Sequence, residues 1–150
     1  MSRQFLFALG SCLVLVPVLP EVDGASATKD DLQGKWKLIE VEKAGESHKV
    51  KPKTTEFFQL EFKGNKVTSI FDMSPSIKGT YKTDPAKKPR TIDFMPSTSD
   101  DKGKTLLGIY EVKGGKLKLC VAEPEVKKRP TKFESKSDHV IVYVLERVKE

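Results

Sequence analysis

The sequence predicts an all-β protein: an antiparallel, up-and-down β-barrel of about eight strands, with a short helical turn at its amino-terminal side. Short segments with alternating apolar and polar residues recur along the chain, and turn residues separate them about every eight to twelve residues. No longer segment shows a convincing helical period. Closing such strands into a barrel removes the exposed edges of an open sheet. An open sandwich is the structural alternative.

The first 27 residues have the layout of a secretory signal peptide. Arg3 supplies a positive start, residues 5–16 form an apolar run, and Ala25-Ser26-Ala27 matches the small-x-small pattern that signal peptidase cleaves. The run is shorter than the roughly 20 apolar residues that cross a bilayer. We therefore expect residues 28–150 to be one domain exported to the periplasm, the cell envelope or the extracellular medium. An uncleaved membrane anchor is the alternative.

The chain has two cysteines, Cys12 and Cys120. Residues 9–12 resemble a lipobox, so a lipoprotein acylated at Cys12 is the minor alternative to secretion. Cleavage after Ala27 leaves Cys120 alone, and the domain is then expected to have no internal disulfide. We interpret Cys120 as a small strand residue, with a reactive thiol or an intermolecular bridge as the alternative.

The barrel is predicted to begin with one helical turn at residues 28–33 and a strand at residues 35–43. The apolar positions of this strand change face partway along, which indicates a β-bulge. They are first Trp36 and Leu38, then Ile39 and Val41.

Two hairpins are the clearest predictions that follow. Each has alternating strands on both sides of a turn made of Gly or Asn. The first joins residues 58–63 to 66–71 through Gly64-Asn65, and the second joins residues 105–112 to 116–122 through Gly114-Gly115. Further strands are predicted at residues 77–82, 90–95, 132–135 and 139–148, and a connecting loop at residues 44–55.

No constellation of residues predicts catalysis. Gly103-Lys104-Thr105 resembles the end of a phosphate-binding loop, but Thr98 stands where a Gly is needed, and a strand follows instead of a helix. Asp138 and His139 are neighbours in a predicted strand, so their side chains point to opposite faces. His48, the other histidine, lies in a charged loop. We therefore predict a protein that is not an enzyme, with no catalytic residue, metal ion or cofactor.

Lysine and arginine outnumber the acidic residues 27 to 21, for a formal net charge of +6. Basic residues cluster at residues 49–53, 87–90 and 127–132. One interpretation is a solvated surface that keeps strands from pairing edge to edge, and the other is contact with a polyanionic partner. Basic and aromatic residues do not interleave as in proteins that bind single-stranded nucleic acid, so no specific nucleic acid is expected.

Gly34-Lys35-Trp36 at the head of the first strand, with Arg147 near the end of the last, looks like the lipocalin and wider calycin pattern. In that pattern the tryptophan closes one end of the barrel, and an arginine from the final strand stacks over its indole. The resemblance thus implies a structural barrel closure made of Gly34, Trp36 and Arg147.

A second resemblance covers nearly the whole predicted domain. The chain is similar to a family of small, usually exported domains that is expanded in planctomycete bacteria and known as an uncharacterised lipocalin-like domain. The resemblance implies a fold and a bacterial envelope setting, and it supplies no catalytic residues. The matching segments are residues 31–36, 79–89, 92–94, 103–111, 117–120, 129–133 and 145–147.

The leading functional hypothesis is an exported barrel that binds a small apolar or amphipathic molecule. The candidate barrel lining consists of apolar and aromatic residues on inward faces: Phe58, Leu60, Phe62, Tyr81, Phe94 and Tyr110. An eight-stranded barrel is just wide enough either to fill itself with side chains or to hold one small ligand. The alternative is therefore a cell-envelope structural or interaction protein with a filled core and a cationic surface that contacts polyanions. We expect a monomer in either case.

Overall fold

In the computed structural model, the residues described are 29–51, 58–71 and 74–149. The predicted signal peptide and Cys12 lie outside them. A 3-10 turn and nine β-strands make up the regular structure of this part of the chain. The turn is Lys29–Leu32, and the strands are β1 (Gly34–Lys43), β2 (Glu46–Lys49), β3 (Phe58–Lys63), β4 (Lys66–Phe71), β5 (Ser74–Asp84), β6 (Arg90–Pro96), β7 (Leu106–Lys113), β8 (Lys116–Ala122) and β9 (Val140–Arg147).

Eight of these strands, β1 and β3–β9, close into an antiparallel barrel. Each strand from β3 to β9 pairs with its neighbour in sequence, and β1 pairs with β3 on one side and with β9 on the other. The predicted up-and-down barrel of about eight strands is therefore confirmed. Because the strands alternate in direction, the connections β3–β4, β5–β6 and β7–β8 lie at the end where β1 begins, and the other four lie at the opposite end.

The predicted bulge in the first strand is also confirmed. The register of β1 against β9 shifts between Leu38 and Glu40. Before the shift, Leu38 is opposite Leu145, and after it Val41 is opposite Tyr143. Since Leu145 and Tyr143 both pack in the barrel interior, the bulge places Leu38 and Val41 on the same inner face of β1.

Two sequence-based predictions about the connections are wrong. Residues 44–55 were expected to be a loop, but β2 lies within them and forms a hairpin with β1 through Ala44 and Gly45, both at positive φ. All four residues of β2 are exposed, so no apolar alternation marks it. Residues 132–135 were expected to be a strand, but they belong to an irregular segment between β8 and β9.

The apolar residues form two cores, one inside the barrel and one outside. The inner core contains Trp36, Phe62, Tyr81 and Tyr110 among its largest side chains. The outer core consists of Ile109, Cys120 and Val142, one from each of β7, β8 and β9, with Phe133 and Val140 packed against them. The outer core exists because residues 123–139 cross the outside of the sheet.

Candidate functional site

The candidate site is a cavity inside the barrel, open at one end. Its volume is about 250 Å³. The opening lies where the β6–β7 connection and the segment after β8 meet, and we call this end the open end. The walls are mostly apolar, with Leu60, Val67, Leu119 and Val121 among the buried residues that line them.

Aromatic side chains build the part of the wall nearest the mouth. Phe58 stacks on Tyr143 with ring centroids 5.7 Å apart, and it meets Phe71 at 5.0 Å in a tilted arrangement. Burial raises the pKa of Tyr143 to about 12, and the negative charge of Glu123 adds to this shift. At neutral pH Tyr143 therefore presents a neutral hydroxyl on an otherwise apolar wall.

The mouth of the cavity carries charged side chains of both signs. Lys78, Asp101 and Glu123 all border the opening. Lys104 Nζ lies 3.0 Å from Asp101 Oδ1, and His139 Nδ1 lies 2.9 Å from Glu123 Oε2. Asp101 is thus paired with Lys104, and the Glu123 carboxylate lies within hydrogen-bond distance of the His139 ring.

The six predicted lining residues separate into two groups of three. Phe58, Leu60 and Phe94 line the cavity. The other three, Phe62, Tyr81 and Tyr110, are buried in the inner core between the cavity and the opposite end. Phe62 meets Tyr81 edge to face at 5.0 Å, so these rings pack on one another below the cavity.

The two tyrosine hydroxyls expected to recognise a ligand are in different situations. The Tyr81 hydroxyl donates to the carbonyl of Gly64 at 2.9 Å and accepts from Gln33 Nε2 at 2.8 Å. It therefore helps to tie the amino-terminal segment to the β3–β4 turn. The Tyr110 hydroxyl is buried and has no hydrogen-bond partner among the described residues.

The opposite end of the barrel, which we call the closed end, is sealed by Trp36 and Arg147. The guanidinium carbon of Arg147 lies 4.2 Å from the centroid of the indole, and Trp36 Nε1 donates to the carbonyl of Leu32 at 2.8 Å. Arg147 also donates to the carbonyls of Gln33 and Asp31, both at 2.5 Å. One side chain from the last strand thus fixes both the indole and the segment that precedes the first strand.

Gly34 allows the chain to pass close to this arginine. Its φ is +106°, which is the left-handed region that favours glycine. A Cβ atom at this position would lie 3.3 Å from Arg147 Nη1. The three residues of the predicted closure are therefore in contact at one end of the barrel.

A second arginine, Arg90, lies at the same end. Its guanidinium carbon is 4.9 Å from the centroid of the Tyr110 ring, and its Nη1 is 3.9 Å from Asp31 Oδ2. Stacking of a cation on an aromatic face contributes on the order of 1 kcal/mol. The closed end thus has two stacked arginine–aromatic pairs.

Arg129 holds the segment between β8 and β9 on the outside of the barrel, a role that sequence reasoning missed. Its Nη2 lies 2.6 Å from Asp93 Oδ1, and its Nη1 donates to the carbonyls of Ile92 and Gly108 at 3.2 and 2.8 Å. Ser135, which is buried, accepts from the Ala44 amide at 2.8 Å. Arg129, which belongs to the basic cluster at residues 127–132, therefore has a structural role.

Cys120 lies under this segment. It is fully buried, and burial raises the pKa of its thiol to about 11. A buried, protonated thiol is a poor nucleophile. Its surroundings fit the interpretation as a small strand residue.

A shallow depression on the outside of β5 is a second concave region. Asn65, Thr80 and Lys82 line it and are exposed. Since these side chains are polar or charged and open to solvent, the barrel interior is the better candidate for binding apolar molecules.

In the part of the chain that the structure describes, no group of three or more His, Cys, Asp or Glu residues is arranged to hold a metal ion. Within the same ranges, no helix has the length and apolar character needed to cross a membrane.

Comparison with protein-family models, with curated proteins and with solved structures gives no match for this chain. Function must therefore be argued from the barrel itself.

Proposed function

We propose that this protein binds a small apolar or amphipathic molecule inside the barrel. The observation that carries the proposal is the cavity of about 250 Å³, with apolar walls and an opening at one end only. Ligand sites in proteins are typically concave, mostly apolar and provided with a few polar groups. Ser69 and Tyr143 supply hydroxyl groups on these walls.

The size of the cavity limits the ligand. Its volume is just below the range of about 300–1,000 Å³ that is common for ligand pockets. The proposed ligand is therefore either very small or places only its apolar part in the barrel, with a polar group at the mouth. There it would meet Asp101 and Glu123, with Lys104 beside Asp101.

The alternative of a barrel filled by its own side chains receives less support. The largest buried side chains of the inner core, Trp36, Phe62, Tyr81 and Tyr110, do not line the cavity, and the smaller core residues around Phe58 leave a hollow between them. Hydration of an apolar cavity costs free energy, so a hollow of this kind favours an apolar occupant.

The proposal also covers the localisation and the oligomeric state of the protein. The resemblance to exported lipocalin-like domains supports export, and the proposed protein is a monomer that binds its ligand without converting it chemically. Amino-terminal sequencing of the secreted form tests the expected cleavage after Ala27. Membrane fractionation of Cys12→Ser tests the lipoprotein alternative, and sedimentation equilibrium tests the monomer.

The direct test of the site is to fill the cavity by substituting a wall residue with a larger one. Ser69 is opposite Leu60 on one side and Ile77 on the other, all three facing the cavity. We expect Ser69→Phe to occupy the hollow and to weaken binding of anilinonaphthalene sulfonate, a lipophilic fluorescent dye, at least about tenfold. Fluorescence titration measures this affinity.

Thr68→Phe is the matched control. Thr68 is opposite Glu61 and Lys78 and faces outward, so the same ring is added on the other side of β4. The control should bind the dye as the wild type does. Equal dye affinity in Ser69→Phe and the wild type, with circular dichroism showing both folded, would refute the site. If Ser69→Phe does not fold, Leu106→Trp fills the cavity from β7 instead, because Leu106 also lines it.

A further inference from the structure

Lysines are concentrated on the three hairpin connections at the closed end. Lys63 and Lys66 flank the β3–β4 turn, and Lys113 and Lys116 flank the β7–β8 turn. The third connection, residues 85–89, contributes Lys87 and Lys88. All six side chains are exposed.

These lysines are not needed to protect sheet edges. Lysine on a strand edge prevents pairing with other chains, but β3, β4, β7 and β8 each have a partner strand on both sides. Lys63 is directly opposite Lys66, and Lys113 is directly opposite Lys116. Like charges in such positions destabilise a sheet. Two separate hairpins therefore have the same unfavourable pair at the same end of the barrel.

The positive charge of these connections is only partly balanced by nearby acids: Lys116 is directly opposite Glu146, and Arg90 Nη1 lies 3.9 Å from Asp31 Oδ2. Within the described ranges, ion pairs form at lysines such as Lys37, Lys104 and Lys136, whereas none joins the six hairpin lysines to an acid. Residues 63–66, 84–90 and 113–116 contain six lysines and Arg90 but a single acid, Asp84. Their excess of positive charge equals the net charge of +6 of the whole chain. The rest of the chain has a formal net charge of zero, although basic residues also cluster at residues 49–53 and 127–132.

We propose that the closed end docks on an anionic lipid surface. The three connections ring one end of a barrel, so their lysines form a broad, end-on array that many lipid headgroups can contact at once. A linear polyanion would meet only part of this array at a time. The turn residues between the flanking lysines are Gly64, Asn65, Gly114 and Gly115, so contact is electrostatic and superficial. In this orientation the cavity mouth faces away from the lipid, and docking does not depend on ligand binding.

Vesicle binding of two charge-matched variants tests the inference. The hairpin variant is Lys63→Gln/Lys66→Gln/Lys113→Gln/Lys116→Gln, and the control is Lys102→Gln/Lys127→Gln/Lys128→Gln/Lys132→Gln. The control lysines are exposed and lie in the β6–β7 connection and in the segment after β8. Both variants lose four positive charges. Binding is measured by co-sedimentation at low salt with vesicles of phosphatidylglycerol and phosphatidylcholine in equal parts.

We expect the wild type and the control to bind these vesicles, and neither to bind pure phosphatidylcholine. A lysine near an anionic membrane strengthens binding about fivefold, so the hairpin variant should bind several hundred-fold more weakly. Added salt should release the wild type. Three results would each overturn the inference: no binding of the wild type, an equal loss in both variants, or tighter binding to a sulfated polysaccharide at the same concentration of charge. Ser69→Phe should dock like the wild type, which separates this test from that of the cavity.

Discussion

The two ends of this barrel are formed by the same eight strands but are packed differently. At the closed end, Arg147 stacks on Trp36 and donates to two backbone carbonyls, so aromatic, cationic and backbone groups satisfy one another. At the open end, Phe58 and Tyr143 stack beside a hollow of about 250 Å³. One end is packed and hydrogen-bonded, and the other is left concave.

The distribution of charge follows the same division. The acids at the mouth, Asp101 and Glu123, have basic partners at 3.0 and 2.9 Å. The closed end has six exposed lysines on three connections. Since the lysine pairs at the closed end repel one another, the stability that we expect this end to contribute must come from its packing and hydrogen bonds around Trp36 and Arg147.

The largest expected effect is the removal of the tryptophan. Trp36→Ala deletes a fully buried side chain, and losses of this type cost about 3–5 kcal/mol. Phe58→Ala at the open end removes a partly exposed ring beside an existing hollow, so its cost should be smaller. Urea denaturation of both variants measures the difference. Equal losses would contradict the division of stability between the ends.

Tyr143 at the open end should make the stability of the protein depend on pH in the alkaline range. Burial, with a smaller contribution from the charge of Glu123, raises the pKa of Tyr143 from its ordinary value of about 10 to about 12. Between these values the unfolded chain releases the phenolic proton while the folded chain keeps it, so stability falls as the pH rises from about 10 to about 12. The loss attributable to this residue is roughly 2–3 kcal/mol.

Tyr143→Phe isolates this contribution. The variant should lose less stability than the wild type over the same alkaline range, measured by urea denaturation at a series of pH values. Ultraviolet titration of tyrosinate should show one fewer late-titrating group. Identical pH dependence in the two proteins would mean that Tyr143 does not lie in an apolar wall.

A conservative change at the closed end should have an intermediate effect. Arg147→Lys keeps the charge but loses the planar group that stacks on Trp36 and reaches the carbonyls of Asp31 and Gln33. We expect a loss of about 2 kcal/mol. A double-mutant cycle with Trp36→Phe, measured by urea denaturation, separates the stacking from the hydrogen bonds. If Arg147→Lys is as stable as the wild type, a positive charge at this position is sufficient to stabilise the closed end.

Local patterns made most of the barrel predictable. Alternation along residues 58–71 around Gly64-Asn65 specifies a hairpin because each strand has one buried face. The bulge in β1 was visible as a change of apolar face. The charged strand β2 was missed because all its side chains are exposed and only backbone pairing with β1 holds it.

Long-range contacts were not predictable in the same way. Arg129 meets Asp93 and the carbonyl of Gly108 across the outside of the barrel, and no period in the sequence marks such contacts. Nor could alternation separate Phe58, which lines the cavity, from Phe62, which packs below it. Both side chains face inward, and the space that remains between them depends on how the eight strands pack around the interior.

The smallest expected effect concerns the hairpin lysines. Lys63→Gln removes one of two like charges placed directly opposite each other, so stability should rise by a few tenths of a kcal/mol at low salt. The gain should disappear at high salt because screening weakens the repulsion. Thermal unfolding measures it, with Lys127→Gln as the control. A stability loss at low salt would contradict the repulsion.

Native mass spectrometry of the protein purified from its own host tests the central claim most directly, namely that the hollow end holds a molecule. The account predicts a mass above that of the chain alone, lost on denaturation in organic solvent and absent in Ser69→Phe. It is contradicted if the wild type has only the mass of the bare chain and binds no lipophilic dye.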